Sequence, residues 1–177
     1  YIVGQQAHTY RYEGGGAAAL GGIQPQPIDT NSYGGLDLDK VEQFIKPDDF
    51  HFARTRLLCL ENTMQGKVLP LDYLDQAQLF CKEHNLALHL DGARVFNACV
   101  KLGVELERVT SRFNTVSICL SKGLGAPIGS VLLGPCAFIQ EAKRWRKVVG
   151  GGMRQSGFLA AAGLYALEHH VNRLAQD

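Results

Sequence analysis

Apolar residues in this chain gather into short runs separated by longer stretches of mixed polarity, and the two patterns predict different elements. Tyr1-Ile2-Val3-Gly4, Thr55 to Leu60, Leu86 to Leu90, Thr115 to Leu120 and Val131 to Gly134 are too short and too uniformly apolar for surface helices, so they predict buried strands. Between them lie segments with helical spacing. Leu36 to Ile45 predicts a short amphipathic helix that stops before Pro47, and Leu69 to His84 places Leu74, Ala77, Leu79 and Phe80 on one face. Val95 to Leu102 predicts a helix with Gly103 as its stop, and Ala137 to Val149 a basic helix carrying the only Trp, Trp145. The glycines 150 to 152 then break the chain before an Ala- and Leu-rich helix from Gln155 to Leu174. The remaining segments predict connections: a polar and aromatic stretch from Gln5 to Glu13, a small-residue run from Gly14 to Gly22, an extended link held by Pro25 and Pro27, and a turn at Asn31 to Gly35.

Strands alternating with helices imply β-crossover-β units. Right-handed crossovers bring successive strand ends to one edge of a parallel sheet. The expected fold is therefore α/β, a three-layer α/β/α sandwich around a mostly parallel sheet. Val116 to Leu120 is apolar enough to predict a central strand covered on both faces, and Lys122 follows at its carboxyl end. Asp91 ends the preceding strand. If those two strands are parallel neighbours, a carboxylate and an amine flank one crevice at the edge where open α/β sheets bind ligands.

Composition narrows the classes. The 177 residues allow one domain with a real core, and 46% hydrophobic with 20% charged residues is ordinary for a globular protein. A formal charge of +1 leaves no electrostatic footprint for nucleic acid or an acidic membrane surface, and no apolar run approaches the ~18 residues of a membrane span. The five cysteines lie mostly inside apolar runs without paired spacing, which points to reduced core residues and a cytoplasmic setting. No residues are assigned to a metal.

Two accounts of the lysine are open. It is a surface residue capping a strand turn, or an amine held against apolar surroundings and suited to Schiff-base chemistry. Asp91 before Gly92 is likewise either a turn former or a functional carboxylate. Together with Arg94 and with His8 and His51 from earlier connections, they form a set suited to pyridoxal phosphate (PLP). That cofactor needs a lysine amine and a carboxylate facing its pyridine nitrogen, with an aromatic group on the ring face. Each histidine is either a hydrogen-bonded loop residue or a proton acceptor near neutral pH. Gly123 to Gly129 misses the dinucleotide fingerprint, and no phosphate-loop motif occurs.

Five stretches carry a resemblance: Gln6-Ala7-His8-Thr9-Tyr10, Leu60-Glu61-Asn62-Thr63, His89 to Arg94, Cys119 to Gly125, and Gly150 to Gln155. Across them the sequence resembles the low-specificity L-threonine aldolases, PLP enzymes of fold type I. The resemblance implies cleavage of L-threonine and L-allo-threonine to glycine and acetaldehyde, with a small β-hydroxy amino acid as the partner. It implies Lys122 as the Schiff-base lysine with Ser121 beside it, Asp91 as the partner of the pyridine nitrogen, His8 stacked on the ring and Ala93 beneath it. Arg94 then faces the cofactor O3′ and substrate carboxylate, His51 the substrate hydroxyl, Tyr12 the substrate side chain, and Arg154 lies in a segment closing the site between subunits. The base is His8 or His51. Family members form tetramers, open with a Thr-Gly-Thr-like turn that binds the phosphate, and close with a smaller domain. Residues 1 to 177 are accordingly expected to be a partial large domain, truncated at both ends. The alternatives are another fold type I PLP lyase or aminotransferase, or a fragment inactive by itself.

Overall fold

The computed structural model describes all 177 residues. In chain order its elements are β1 (Ile2–Gly4), α1 (His8–Arg11), α2 (Gly16–Gly21), β2 (Gln26–Ile28), α3 (Leu38–Phe44), β3 (Leu57–Glu61), α4 (Leu71–Glu83), β4 (Ala87–Asp91), α5 (Val95–Leu102), α6 (Leu106–Thr110), β5 (Thr115–Cys119), β6 (Ser130–Leu133), α7 (Cys136–Val148) and α8 (Gly157–His169). A 3₁₀ helix, Val171–Gln176, follows α8. No helix is long and apolar enough to cross a membrane.

The six strands form one sheet in the order β2-β1-β3-β4-β5-β6. All neighbours are parallel except β6, which runs antiparallel to β5. The exception has a simple cause: the β5–β6 connection contains no crossover helix, and it folds back through Leu120 N–H to Gly129 O (2.9 Å) and Ala126 N–H to Leu120 O (3.0 Å). The mostly parallel α/β sheet expected from the alternation is thus present.

The sheet's two faces differ in chemistry. Leu58, Leu60, Leu88, Leu90, Val116 and Ile118 alternate onto one face and merge with the buried faces of α3, α4, α5 and α6 into the main core. Burying one such side chain contributes roughly 1.5–3 kcal/mol, so this face dominates the stability. The other face carries Val3 and Cys59 under Ala7 and Met64, and α1 packs there. Farther along it lie Glu61, His89, Asp91, Thr115, Ser117 and Cys119, by strand alternation and register.

Several boundaries depart from the sequence pattern. The link at Pro25 and Pro27 is an edge strand, β2, in register with β1. It tolerates Pro27 because the flanking residues make the ladder bonds, Gln26 N–H to Tyr1 O and Gln5 N–H to Ile28 O, both 2.7 Å. The small-residue run contains α2, and the polar connection after Gly103 contains α6. The helix expected over Gln155 to Leu174 is split at His170, where α8 gives way to the 3₁₀ helix. Coverage of the lysine strand on both faces is corrected: Val116 and Ile118 are buried, whereas Thr115, Ser117 and Cys119 are half-buried on the polar face. Gly103 does stop α5, with φ +66° at the C-cap and its N–H bonded to the last turn.

Replacing Leu74, fully buried on α4 against the sheet, with Ala is expected to cost about 2–5 kcal/mol in urea denaturation. A loss under about 1 kcal/mol would show that α4 is not seated on this core.

Candidate functional site

Parallel pairing gives the site its floor. Glu61 on β3 is in register with Asp91 on β4, and Asp91 with Ser117 on β5, so the carboxyl ends of three strands lie side by side. Asp91 is only 8% exposed, and its Oδ1 accepts the Ala93 N–H at 3.1 Å. Its backbone is tied on both sides, Asn62 N–H to Asp91 O (2.9 Å) and Gly92 N–H to Ser117 O (2.8 Å). Ala93 is half-buried, and Arg94 is exposed at the start of α5.

Lys122 lies just past β5, half-buried, in a turn closed by Gly125 N–H to Lys122 O at 2.8 Å. Distant residues hold that turn. Leu124 is buried with Ala126, Ala166 and Leu174, and His170 Nδ1 donates to Leu124 O at 2.6 Å. Gly123 packs so closely that a Cβ there would lie 2.8 Å from Leu174 Cδ2 and 2.9 Å from Asn97 Oδ1. His170 therefore supports the lysine turn, a function its helix-surface spacing did not signal. Ser121 is exposed beside Lys122.

His8 enters from the polar face, as the first residue of α1. Its backbone N–H donates to Glu61 Oε2 at 2.7 Å, its Nδ1 lies 2.8 Å from Glu13 Oε1, and its ring centroid is 5.4 Å from that of Tyr12. Glu61 is held above the usual carboxylate range by burial, with the charge of Asp91 adding to the effect. The His8 N–H acts in the opposite direction, and the charges of His8 and Lys122 do so to a smaller extent. His89, on the same face as Asp91, bonds through Nδ1 to Thr115 Oγ1 at 2.7 Å, and burial depresses its pKa against the pull of Asp91.

The fold thus gathers Asp91, Ala93, Arg94, Ser121, Lys122, His8 and Tyr12 at the carboxyl edge of the sheet. Two expected residues are elsewhere in this chain. His51 is exposed on the loop leading into β3, bonded to Asp49 Oδ1 at 2.7 Å and with its ring tilted 34° against Phe50. That loop joins α3 to the start of β3, so it borders the amino edge. Arg154 is exposed on the α7–α8 connection. A cavity of about 560 Å³ lined by Asp75, Lys82 and Arg112 is likewise remote from Lys122.

The residues present suit PLP at two of its ends. A buried carboxylate with one oxygen bonded to Ala93 suits a protonated pyridine nitrogen, and the neighbouring amine of Lys122 suits its aldehyde carbon.

The family model described as beta-eliminating lyase matches residues 1–177. The chain belongs to the beta-eliminating lyase family. Within this family it is 62% identical over 177 residues to the low specificity L-threonine aldolase of Escherichia coli K12, covering all of this chain and 53% of that protein. It is 41% identical over 181 residues to low-specificity L-threonine aldolase 1 of Arabidopsis thaliana, covering 99% of this chain and 51% of that one. The chain therefore spans about half the length of the curated relatives it matches. The threonine aldolase structure from Leishmania major shares the fold, with a TM-score of 0.85 at 21% identity over 99% of this chain and 53% of that one. In the sequence Glu61 stands out only within one of the five resembling stretches, and Glu13 only as the end of a polar connection.

Gly123→Ala is expected to displace the lysine turn, raising amide exchange across residues 122 to 126 while the β3–β4 core stays protected. Unchanged exchange would refute the close packing. The depressed His89 pKa has a definite sign: its stabilisation is present above the ordinary value of 6.5 and is lost as pH falls through the lower folded value. Denaturation midpoints should fall as pH drops from 6.5 toward the lower folded value, and less so in His89→Asn.

Proposed function

We propose that this chain carries the lysine-bearing half of a PLP-dependent aldehyde-lyase that cleaves L-threonine and L-allo-threonine to glycine and acetaldehyde. The observation that carries the reading is the placement of Asp91 and Lys122 at the carboxyl ends of adjacent parallel strands, with His8 at the same edge, in a chain 62% identical to an L-threonine aldolase. When bound, PLP supplies an electron sink for the bond-breaking step.

The roles of the chain's own residues follow from their positions. Asp91 holds the pyridine nitrogen proton, as a carboxylate buried on the sheet edge is suited to do. Lys122 would hold the cofactor through Nζ, the amine suited to attach to its aldehyde carbon. Ala93 and His8 would hold the two faces of the ring, and Ser121 would help hold the cofactor beside the lysine. Arg94, exposed above Asp91, binds the substrate carboxylate with a planar, permanently charged fork. Of the two candidate histidines, the geometry favours His8 as the base. Its Nδ1 is engaged by Glu13, which leaves Nε2 to accept the β-hydroxyl proton as the Cα–Cβ bond breaks. Tyr12, 5.4 Å from His8 between ring centroids, borders the substrate side chain. His51 and Arg154 serve the substrate side of a site completed in a cytoplasmic homotetramer, and residues 1 to 177 are part of its large domain.

In the full-length protein, borohydride reduction is expected to attach PLP to Lys122, and Lys122→Ala to reduce acetaldehyde release from L-threonine to background. His8→Phe should lower kcat by about 10²–10⁴ while the visible absorbance of bound cofactor persists. Trapped cofactor in the Lys122→Ala protein would overturn the assignment. Amino-group transfer to a keto acid faster than acetaldehyde release would make it an aminotransferase.

A further inference from the structure

We propose that Glu61 is a positioning residue for this site: its carboxylate, reaching from the end of β3, caps the helix that carries His8 and so sets that imidazole relative to Asp91 on the next strand. The inference rests on the reading of His8 and Asp91 as site residues.

The helix α1 has only four residues and cannot sustain itself by internal hydrogen bonding. Its first N–H groups need acceptors from outside, and its N-cap, Ala7, has no side-chain acceptor to offer. Besides the Tyr1 hydroxyl, which donates to Thr9 O at 3.3 Å, three contacts place it. Ala7 packs with Val3, Cys59 and Met64, Thr9 Oγ1 meets Cys59 Sγ at 3.9 Å, and the His8 N–H donates to Glu61 Oε2 at 2.7 Å. The third is a charge-assisted bond to the backbone of the residue in question, the strongest type of cap available.

Register gives this bond its meaning. Glu61 and Asp91 are paired residues on adjacent parallel strands, and both side chains rise from the polar face. One strand pairing and one hydrogen bond therefore connect the Asp91 backbone to the His8 backbone. Two carboxylates side by side on a half-buried face are a poor choice for stability alone. Around Glu61 stand Asp91 on β4, His8 on α1, Lys122 beyond β5 and Cys59 on its own strand. With a folded pKa raised above 4.5, chiefly by burial, Glu61 contributes stability at low pH that is lost as pH rises through the raised value. An acid retained where it weakens the fold near neutrality fits a positioning duty.

The test compares Glu61→Ala, Glu61→Gln and Glu61→Asp in the full-length protein. Gln keeps an acceptor at the same reach, whereas Asp keeps the charge but falls one methylene short. Amide exchange without added cofactor is expected to quicken about ten- to a hundredfold across residues 8 to 12 in Ala and Asp, with Gln within about threefold of the parent. With PLP bound, the induced circular dichroism of the cofactor should shrink in Ala and Asp and recover in Gln, and kcat should fall about tenfold with KM for L-threonine within about twofold. Unchanged exchange in Ala and Asp overturns the proposal, as does Gln behaving like Ala, or altered exchange with unaltered dichroism and kcat. Should Ala fail to fold, the Asp and Gln pair still decides. The exchange arm needs no cofactor, and Lys122→Ala tests the site reading separately, so either failure is recognisable.

Discussion

Everything in the candidate site depends on parallel pairing of β3, β4 and β5. Parallel strands return to the same edge, so Glu61, Asp91 and Lys122 converge though they are far apart in sequence. The apolar alternation that buries Leu88 and Leu90 on one face turns His89 and Asp91 to the other. A register slip of one residue would bury the carboxylate in the main core and expose the leucines. Core packing and site geometry are thus enforced by the same alternation, and the polar face is free to be polar because the opposite face supplies most of the burial.

The rigid part of the site is floor and the adjustable part is attached to it. Asp91 is fixed by its side chain's bond to Ala93, by the Asn62 N–H donating to its carbonyl, and by the adjoining Gly92 N–H donating to Ser117 O. Lys122 and His8 are fixed by small pieces of structure, a turn and a four-residue helix. Each of these pieces borrows its rigidity from a neighbour: His170 and Leu174 for the turn, Glu61 and Ala7 for the helix. Precision at a functional group of this kind comes from supporting contacts more than from the residue itself.

Much of this was legible in the sequence. The strands that end at Asp91 and Lys122 announce themselves as apolar runs broken by Gly-containing turns, and Gly103 marks the end of α5. What the pattern misread follows from its local character. Two prolines disguised β2, whose ladder bonds fall on the residues around Pro27. A five-residue helix, α6, lacks the length to show a period. The run Val116 to Leu120 reads as apolar throughout, yet Ser117 and Cys119 face the site side of the sheet, which hydropathy alone cannot tell. His51 joined the candidates as a loop histidine able to accept a proton near neutral pH, and its place near the amino edge follows from topology. The contacts of Glu61 and His170 leave no local trace, because their partners lie 53 and 46 residues away.

That last separation bears on how the protein is made. The turn bearing Lys122 leans on His170, 46 residues further along, so during synthesis the lysine emerges well before the residue that steadies it. Loop closure over that span must precede the final geometry of the turn, whereas the β3–β4 pairing needs only the α4 crossover. The sheet floor is therefore built early and the lysine turn is seated late. A nascent chain holds its carboxylate in place before it holds its amine.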